Sequence, residues 1–310
     1  MQSESVGVID CGTNTTRLLI SGPGGDVVRI AKITGLGRGM GRTGLLRADA
    51  IDRVIGALRT FRSELEAHSV VQLRIVATSA ARDAANGDDF LDQVGAVLGA
   101  RPEILSGDDE AALCFAGATG GLEHEGSVMV VDIGGGSTEF SVGRVVDGEP
   151  LLLGTVSTDM GSVRFTEEFV EHDPPLPEEL SNMLQVIQAH LEDVIRILPA
   201  AANSSVVLAV AGTATTVAAV ELGLIEYDHG LLDGFVLTRD AAEDVFRTLA
   251  TEPLVDRVHN PGLESDRADV IVAGSAILVG LMRHFGLASV VVRERDILDG
   301  LAVTLKKPQA

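Results

Sequence analysis

The stretch that decides the fold is VMVVDIGGGSTEFSVG, residues 128–143. An uninterrupted apolar run, 128–131, leads into Asp132, and a second apolar stretch follows the glycines, which predicts a strand, a tight turn and a second strand. Because glycine has no side chain, a ligand can approach the amides of this turn, and convergent amides bind anions, most often phosphate. The residues assigned to this phosphate-binding turn are Gly134, Gly135, Gly136 and Ser137. Asp132 and Glu139 would supply hard oxygen ligands for the accompanying cation. The alternative is a plain β-hairpin with a glycine turn.

The same pattern occurs near the N-terminus, in VGVIDCGTNTTRLLI, residues 6–20. The aligned pairs are Asp10 with Asp132, Gly12 with Gly134, Thr15 with Ser137, Thr16 with Thr138, and Arg17 with Glu139. A weaker echo, VVLAVAGTATTVA at 206–218, places Gly212 and Thr213 at a strand-to-helix turn. Two copies a domain length apart predict a duplicated fold, with two loops that face each other across a cleft and hold phosphates from both sides.

Composition and length set the fold class. The chain has 310 residues, 45% of them hydrophobic and only 3% aromatic, so its cores must be aliphatic. This length predicts about two domains, and the alternation of apolar runs with amphipathic segments indicates α/β layers. Three long helices are predicted, over residues 47–68, 78–99 and 264–286.

The cellular location is predicted from the cysteines and the apolar segments. Two cysteines, Cys11 and Cys114, provide no disulfide framework, which fits a reducing compartment. Glu4 and Asp10 interrupt the start, so we see no signal peptide, and the longest uncharged stretch, 197–220, contains proline and polar residues unsuited to a membrane span. We therefore expect a soluble cytoplasmic protein that does not bind membranes.

Charge is distributed unevenly along the chain. The net charge of −21 argues against DNA or RNA as a partner. Residues 1–101 carry 12 basic and 11 acidic residues, a sum of +1, whereas residues 102–310 carry 12 and 34, a sum of −22. Because 21 of the 24 basic residues are arginines, a polyanion should be held against the first domain by guanidinium groups. Alternatively, the acidity only keeps the protein soluble.

Three arginines outside the turns are further candidates for phosphate contact. Arg38 and Arg42 lie in GLGRGMGRTGLL, 35–46, which is either a phosphate-contacting flap or an ordinary glycine-rich connection. Arg82 follows a predicted strand, LRIVAT, and ligands of open α/β sheets sit beyond strand carboxyl ends. A surface arginine is nearly as good an interpretation of Arg82.

A cluster of acids opens the helix predicted within residues 103–122. Ser106 is a plausible N-cap, and Asp108, Asp109 and Glu110 occupy the first turn. Acids at this place can simply complement the helix dipole. The functional alternative is that one of them points into the cleft and takes a proton from water, and a carboxylate at a helix start should stay ionised.

Six motifs in order resemble one family. DCGTNTTRLLI, GLGRGMGRTGLL, TSAARDAANGDDF, LSGDDEA, DIGGGSTE and RADVIVAGSAIL resemble those of the exopolyphosphatase and guanosine pentaphosphate phosphohydrolase (Ppx/GppA) family of the actin-like ATPase superfamily. The resemblance covers nearly the whole chain and corresponds to the short form of the family. It implies two actin-like (ribonuclease H-like) α/β domains related by duplication, with the active site in the cleft between them. We expect residues 1–122 with 296–310 to form the first domain and residues 123–295 the second.

The resemblance also implies roles for individual residues. Glu110 matches the general base, Asp132 and Glu139 match the metal-linked acids, and Arg17 and Arg82 match phosphate-binding arginines. We add Asp10, the counterpart of Asp132, to the Mg²⁺ ligands. The first phosphate loop corresponds to Gly12, Thr13, Asn14 and Thr15. The last strand, VVVRERDILDG, departs from the family pattern, so we assign no role to its arginines.

The function that these features predict is Mg²⁺-dependent exopolyphosphatase activity, with Glu110, Asp132 and Arg17 as catalytic residues. The enzyme would remove orthophosphate from the end of inorganic polyphosphate, prefer short chains and form a homodimer. The alternative is a guanosine pentaphosphate 5′-phosphohydrolase. A kinase, or a non-enzymatic nucleotide-gated scaffold with the actin-like fold, would be a further possibility.

Overall fold

The first half of the chain is built round a five-stranded sheet. The computed structural model describes residues 5–306. The strands are β1 (Val6–Cys11), β2 (Thr15–Gly22), β3 (Gly25–Ile33), β4 (Gln72–Ala77) and β5 (Glu103–Ile104), in the spatial order β3-β2-β1-β4-β5. The first three strands form an antiparallel meander, β4 runs parallel to β1, and β5 runs parallel to β4. The helices of this half are α1 (Met40–Thr43), α2 (Ala48–Ala67), α3 (Ser79–Asp83), α4 (Gly87–Leu98) and α5 (Gly107–Ala118).

The second half contains a six-stranded sheet. Its strands are β6 (Ser127–Ile133), β7 (Thr138–Val146), β8 (Glu149–Thr158), β9 (Val206–Val210), β10 (Val236–Thr238) and β11 (Ser289–Val292), in the order β10-β11-β9-β6-β7-β8. The helices are α6 (Ser162–Phe169), α7 (Pro177–Ile197), α8 (Ala211–Glu221), α9 (His229–Leu232), α10 (Arg239–Thr251), α11 (Leu254–Arg257), α12 (Ile271–His284) and α13 (Ile297–Lys306), with 3-10 turns at Pro199–Asn203 and Ser265–Arg267.

The two sheets repeat one topology. In each, an antiparallel three-strand meander is followed by a strand that pairs in parallel with the first strand of the meander, β4 with β1 and β9 with β6. A fifth strand continues each sheet in parallel, β5 beside β4 and β11 beside β9. The predicted α/β architecture, with two units that repeat one topology, is therefore confirmed.

The two halves share a core. Two apolar clusters lie within the separate halves, and a third joins both sheets to α5 and α13. The two helices approach closely at glycines, because a Cβ on Gly117 would lie 1.8 Å from the Asp296 carbonyl oxygen and a Cβ on Gly300 would lie 2.0 Å from that of Leu113. This contact fixes α13 against α5. The domain limits proposed from the sequence stay a prediction.

The structure corrects two of the predicted helices. Residues 78–99 form two helices rather than one, because Asn86 hydrogen-bonds both the amide and the carbonyl of Leu46, and the chain at Gly87 passes too close to the Ala81 carbonyl for a side chain. The helix expected over 264–286 begins only at Ile271. The sequence did not predict β3, whose residues are mostly exposed. Within residues 5–306, no helix combines the length and apolar character needed to cross a membrane.

Candidate active site

The turns between β1 and β2 and between β6 and β7 have the same hydrogen bond. The Gly12 amide donates to the Thr15 carbonyl at 3.1 Å, and the Gly134 amide donates to the Ser137 carbonyl at 3.0 Å. Each turn follows a strand that ends near an aspartate, Asp10 or Asp132. The sequence alignment of the two copies is therefore an equivalence of backbone geometry.

The carbonyls of both turns are held by the segment that follows each meander. The Asn14 carbonyl accepts from the amides of Thr34 and Gly35, and the Gly135 carbonyl accepts from those of Val163 and Arg164. Within residues 5–306, no group accepts from the amides of Thr13, Asn14, Gly135 or Gly136, all of which line one cavity. Because the carbonyls of the two turns are bound elsewhere, the amides of the turns remain available to an anion.

The two turns meet across the cleft. A Cβ on Gly135 would lie 3.1 Å from the Asn14 amide nitrogen, and one on Gly136 would lie 2.4 Å from Ser79 Oγ, so this approach requires glycine. The cavity between the turns has a volume of about 340 Å³. The predicted site residues that line it are Asp10, Gly12, Thr13, Asn14, Thr15, Arg17, Glu110, Asp132, Gly134, Gly135, Gly136, Ser137, Gly212 and Thr213.

The third, weaker copy of the pattern, residues 206–218, also contributes to the cavity. Strand β9 ends at Val210 and helix α8 begins at Ala211, whose φ of 64° lies in the left-handed region. Gly212 follows, and a Cβ there would lie 1.9 Å from Arg267 Nη1. The predicted strand-to-helix turn is confirmed, and it lets an arginine pack directly on the backbone beside the cavity.

The first turn carries an ion pair. Asp10 and Arg17 face each other in the antiparallel register of β1 and β2, and Arg17 Nη2 donates to Asp10 Oδ2 at 2.6 Å. The guanidinium also pairs with Asp296, at the start of α13. Burial and Arg17 act in opposite directions on Asp10, and the net result is a raised pKa.

The second turn carries two acids in the equivalent register. Asp132 faces Glu139 across β6 and β7, and both are buried. Burial raises the pKa of Asp132 to about 6. Burial and the neighbouring Asp132 charge raise the pKa of Glu139 to about 8, although Ser137 and Ser157 hydrogen-bond to it. Glu139 does not itself line the cavity.

Glu110 adds a third carboxyl group beside Asp132 and Glu139. Ser106 caps α5 as predicted, since its Oγ accepts from the Asp109 amide, and Glu110 points into the cavity. Burial and the nearby charges of Glu139 and Asp132 raise the pKa of Glu110 well above the usual range, which opposes the ionised form expected at a helix start.

Arg82 lies behind Glu110 rather than on the cavity wall. Its Nη1 donates to the Leu105 carbonyl at 2.9 Å and lies 3.7 Å from Glu110 Oε2. In this arrangement Arg82 faces the proposed base, and its predicted contact with phosphate stays a prediction.

The carboxylates fit a divalent cation. Within residues 5–306, no three acidic, histidine or cysteine side chains form a ready-made metal cluster. However, Asp10 Oδ1 and Glu110 Oε2 are buried without a hydrogen-bond partner, and they lie among carboxyl groups whose pKa values are raised. Mg²⁺ is usually held by one or two carboxylates together with water and substrate phosphates, so this donor set suits it.

The glycine-rich flap is attached to the second half instead of lining the cavity. Arg38 Nη2 donates to the Asp266 carbonyl at 2.9 Å and to Asp269 Oδ1 at 3.1 Å. Glu167 of α6 accepts from the amides of Gly39 and Gly41. Neither Arg38 nor Arg42 lines the cavity, so the structure does not support them as direct phosphate contacts.

Several cavity residues were not anticipated. They are Arg29, Tyr227, His229, Glu264, Arg267, Arg293, Glu294 and Asp296. Arg293 directly follows β11, which pairs in parallel with β9, so the rule that ligands sit beyond strand carboxyl ends could have identified it. Tyr227 precedes the short helix α9 and His229 begins it, and neither residue had a sequence signal.

Comparison with known proteins agrees with this geometry. The model of the Ppx/GppA phosphatase family matches residues 22–307. Exopolyphosphatase 2 of Mycobacterium tuberculosis is 36% identical over 321 residues, which cover 97% of this chain and 98% of that protein. Exopolyphosphatase 1 of Mycobacterium bovis is 29% identical, with coverages of 96% and 86%.

Solved structures show the same relationship. The crystal structure of an exopolyphosphatase-like protein superposes with a TM-score of 0.92 at 33% identity, covering 97% of this chain and 98% of that one. The Ppx/GppA family member of Aquifex aeolicus superposes with a TM-score of 0.81 at 29% identity, covering 99% of both chains. With the motifs, the duplicated fold and the paired turns, these matches show that the chain belongs to the Ppx/GppA phosphatase family.

Proposed function

We propose that this protein is a Mg²⁺-dependent exopolyphosphatase that hydrolyses the terminal phosphoanhydride of inorganic polyphosphate and releases orthophosphate. The observation that carries the proposal is the pair of equivalent turns, whose free amides face one cavity beside Glu110. Such amides suit the non-bridging oxygens of a phosphoryl group, where negative charge develops during transfer. The names of the relatives support polyphosphate as the substrate.

Glu110 is the proposed general base. It accepts a proton from water as the water oxygen bonds to the terminal phosphorus, and the bond from that phosphorus to the bridging oxygen breaks. The shortened chain leaves with the electron pair of the broken bond. Arg82, 3.7 Å from Glu110, favours the ionised form of the base.

The remaining groups bind and orient the substrate. Arg17 and the amides of Thr13, Asn14, Gly135 and Gly136 hold the terminal phosphoryl group, while Gly212 and Thr213 border it from the second half. Asp10 and Asp132, which line the cavity, are the residues that would hold Mg²⁺, and the neighbouring Glu139 would add negative charge that attracts the cation. When bound, the cation neutralises phosphate charge and lowers the pKa values of the surrounding carboxyl groups.

The outer part of the cavity favours short chains. The arginines there are already paired with acids: Arg267 Nε lies 2.5 Å from Glu264 Oε2, and Arg293 Nε lies 3.2 Å from Asp233 Oδ1. His229 Nδ1 likewise lies 2.9 Å from Glu294 Oε2. A long polyanion therefore finds little unpaired positive charge beyond the turns. The net charge of −21 adds repulsion.

The test is orthophosphate release from tripolyphosphate, long-chain polyphosphate, guanosine pentaphosphate and ATP, each with Mg²⁺ and with EDTA. The Glu110→Gln variant, purified identically, controls for contaminating phosphatases. We expect the highest kcat/KM with tripolyphosphate and no release in EDTA. A higher kcat/KM with guanosine pentaphosphate would replace this proposal with the nucleotide phosphohydrolase, and full activity in EDTA would refute the role of Mg²⁺.

A further inference from the structure

Asp296 occupies a central place in the cavity that the sequence did not reveal. It immediately precedes α13, is 5% exposed and lines the cavity. Its Oδ1 accepts from the Leu298 amide at 3.0 Å, and its Oδ2 accepts from Arg17 Nη1. One carboxylate thus caps α13 and binds the arginine of the first turn.

Arg17 is held from two sides. Its Nε and Nη2 both donate to Asp10 Oδ2, at 3.1 and 2.6 Å, while Nη1 donates to Asp296. The remaining N–H groups of the guanidinium are left for a ligand. Asp10 comes from the neighbouring strand, whereas Asp296 comes from the other end of the chain.

The support for Asp296 is rigid. Asp299 accepts from the Asp296 amide at 3.0 Å and from Arg29 Nη2 at 2.9 Å, which attaches the start of α13 to β3. Gly117 of α5 packs directly on the Asp296 carbonyl. A carboxylate on such a support can fix an arginine in one orientation.

We propose that Asp296 is a positioning residue that fixes the Arg17 guanidinium toward the terminal phosphate and, through its own negative charge, keeps the affinity of the cavity for orthophosphate low enough for release. This inference rests on the proposed function. Its two parts depend on different properties of the side chain. Orientation requires a hydrogen-bond acceptor, whereas release requires the charge.

Two variants separate the parts. Asp296→Asn keeps an acceptor for Arg17 and for the helix cap but removes the charge, while Asp296→Ala removes both. Asp299→Asn is the matched control, because it breaks the adjacent ion pair with Arg29 without changing the partner of Arg17. Each protein is titrated with orthophosphate by calorimetry, and its kcat and KM with tripolyphosphate and its thermal midpoint are measured.

For Asp296→Asn we expect orthophosphate affinity to rise by roughly threefold to tenfold and KM to fall by a similar factor, with kcat no higher than in the wild type. For Asp296→Ala we expect kcat to fall by about tenfold or more, because Arg17 loses one of its two supports. Asp299→Asn should lower the thermal midpoint and raise orthophosphate affinity by less than Asp296→Asn does, because Arg29 lines the cavity but keeps Asp26 as a partner. In an Arg17→Ala background, Asp296→Ala should no longer lower kcat, because no guanidinium is left to orient, whereas Asp296→Asn should still raise orthophosphate affinity, because the charge acts on the anion directly.

The inference fails if Asp296→Asn binds orthophosphate as the wild type does, or if its orthophosphate affinity rises no more than that of Asp299→Asn. If Asp296→Ala does not fold, the Asn variant alone decides the question. Failure of the proposed function looks different, because the wild-type protein would then release no orthophosphate from tripolyphosphate. Calorimetry with orthophosphate would still show whether Asp296 controls anion affinity.

Discussion

The turn after β1 and the turn after β6 share a backbone and differ in charge. Each turn contains an aspartate and a glycine whose amide donates to the carbonyl three residues later. Each also has free amides that face the cavity. The residue across the hairpin from the aspartate is Arg17 in the first turn and Glu139 in the second. A single difference at this position therefore gives the first turn an ion pair and the second turn two acids.

This difference gives the two sides of the cleft complementary properties. Arg17 offers N–H groups to an anion, whereas Asp132 and Glu139 have raised pKa values because burying two carboxylates together is unfavourable without a cation. A phosphate with its accompanying divalent cation satisfies both sides at once. The predictions below test this division from the largest expected effect to the smallest.

Removing the proposed base, Glu110, should cause the largest loss of activity. Glu110→Gln keeps the shape of the side chain but cannot accept a proton, so kcat should fall by roughly 10²–10⁴-fold with KM little changed. Steady-state kinetics with tripolyphosphate measure this. Asp109→Asn, one residue earlier on the exposed part of α5, is the matched control, and near-normal turnover of Glu110→Gln would exclude the assignment.

The basic side should show the next largest effect. Arg17→Ala removes a cation beside the developing charge, so kcat/KM should fall by about 10²-fold. Arg74→Ala breaks an exposed ion pair with Glu103 in the same sheet and should change kcat/KM by less than about twofold. Equal losses in the two variants would mean that Arg17 acts only through the stability of the sheet.

The sequence predicted the turns better than their surroundings. Asp10, the glycines and Asp132 could be located because backbone geometry at a turn is encoded locally, by residues next to each other in the chain. Glu110 was located by its place in a helix start together with the family resemblance. Asp296 and Arg267 were missed because their roles arise from tertiary contacts, with Arg17 in one case and the Gly212 backbone in the other.

Arg38 shows the opposite failure. A glycine-rich segment with arginines is a reasonable phosphate flap from local sequence, but Asp269 and the Asp266 carbonyl, more than two hundred residues away, bind its guanidinium. Likewise the break between α3 and α4 depends on Leu46, which binds Asn86 from another part of the chain. Helical periodicity contains no information about such partners.

The acidic pair should make stability depend on pH. The pKa values of Asp132 and Glu139 in the folded protein, about 6 and about 8, exceed their unfolded values, so the folded state binds more protons between about pH 4 and pH 8. The free energy of unfolding of the Mg²⁺-free protein should therefore fall by several kcal/mol as the pH rises through this range, because each unit by which a pKa is raised corresponds to about 1.4 kcal/mol. Urea unfolding at pH 5, 6.5 and 8 measures it.

Two controls belong to this experiment. Glu139→Gln removes one titrating group and should flatten the dependence on pH, and saturating Mg²⁺ should restore much of the stability at pH 8 by binding the carboxylates. A wild-type protein that becomes more stable from pH 5 to pH 8 without Mg²⁺ would show that the acidic pair does not behave as described.

The flap arginines should have the smallest effect. Because Arg38 is bound to Asp269 and neither Arg38 nor Arg42 lines the cavity, Arg38→Ala and Arg42→Ala should each change KM by less than about threefold. Kinetics with tripolyphosphate at two salt concentrations give the result. An increase in KM of tenfold or more would place these arginines on the substrate path and extend the basic side beyond the first turn.

The most direct test of the division between the two turns is calorimetric titration of orthophosphate and of Mg²⁺, separately, into the wild-type protein, Arg17→Gln and Glu139→Gln. Arg17→Gln should weaken orthophosphate binding by about tenfold or more without weakening Mg²⁺ binding. Glu139→Gln should weaken Mg²⁺ binding to a similar degree without weakening orthophosphate binding. If each variant lost both ligands equally, the two turns would form a single undivided site, contrary to the roles assigned here.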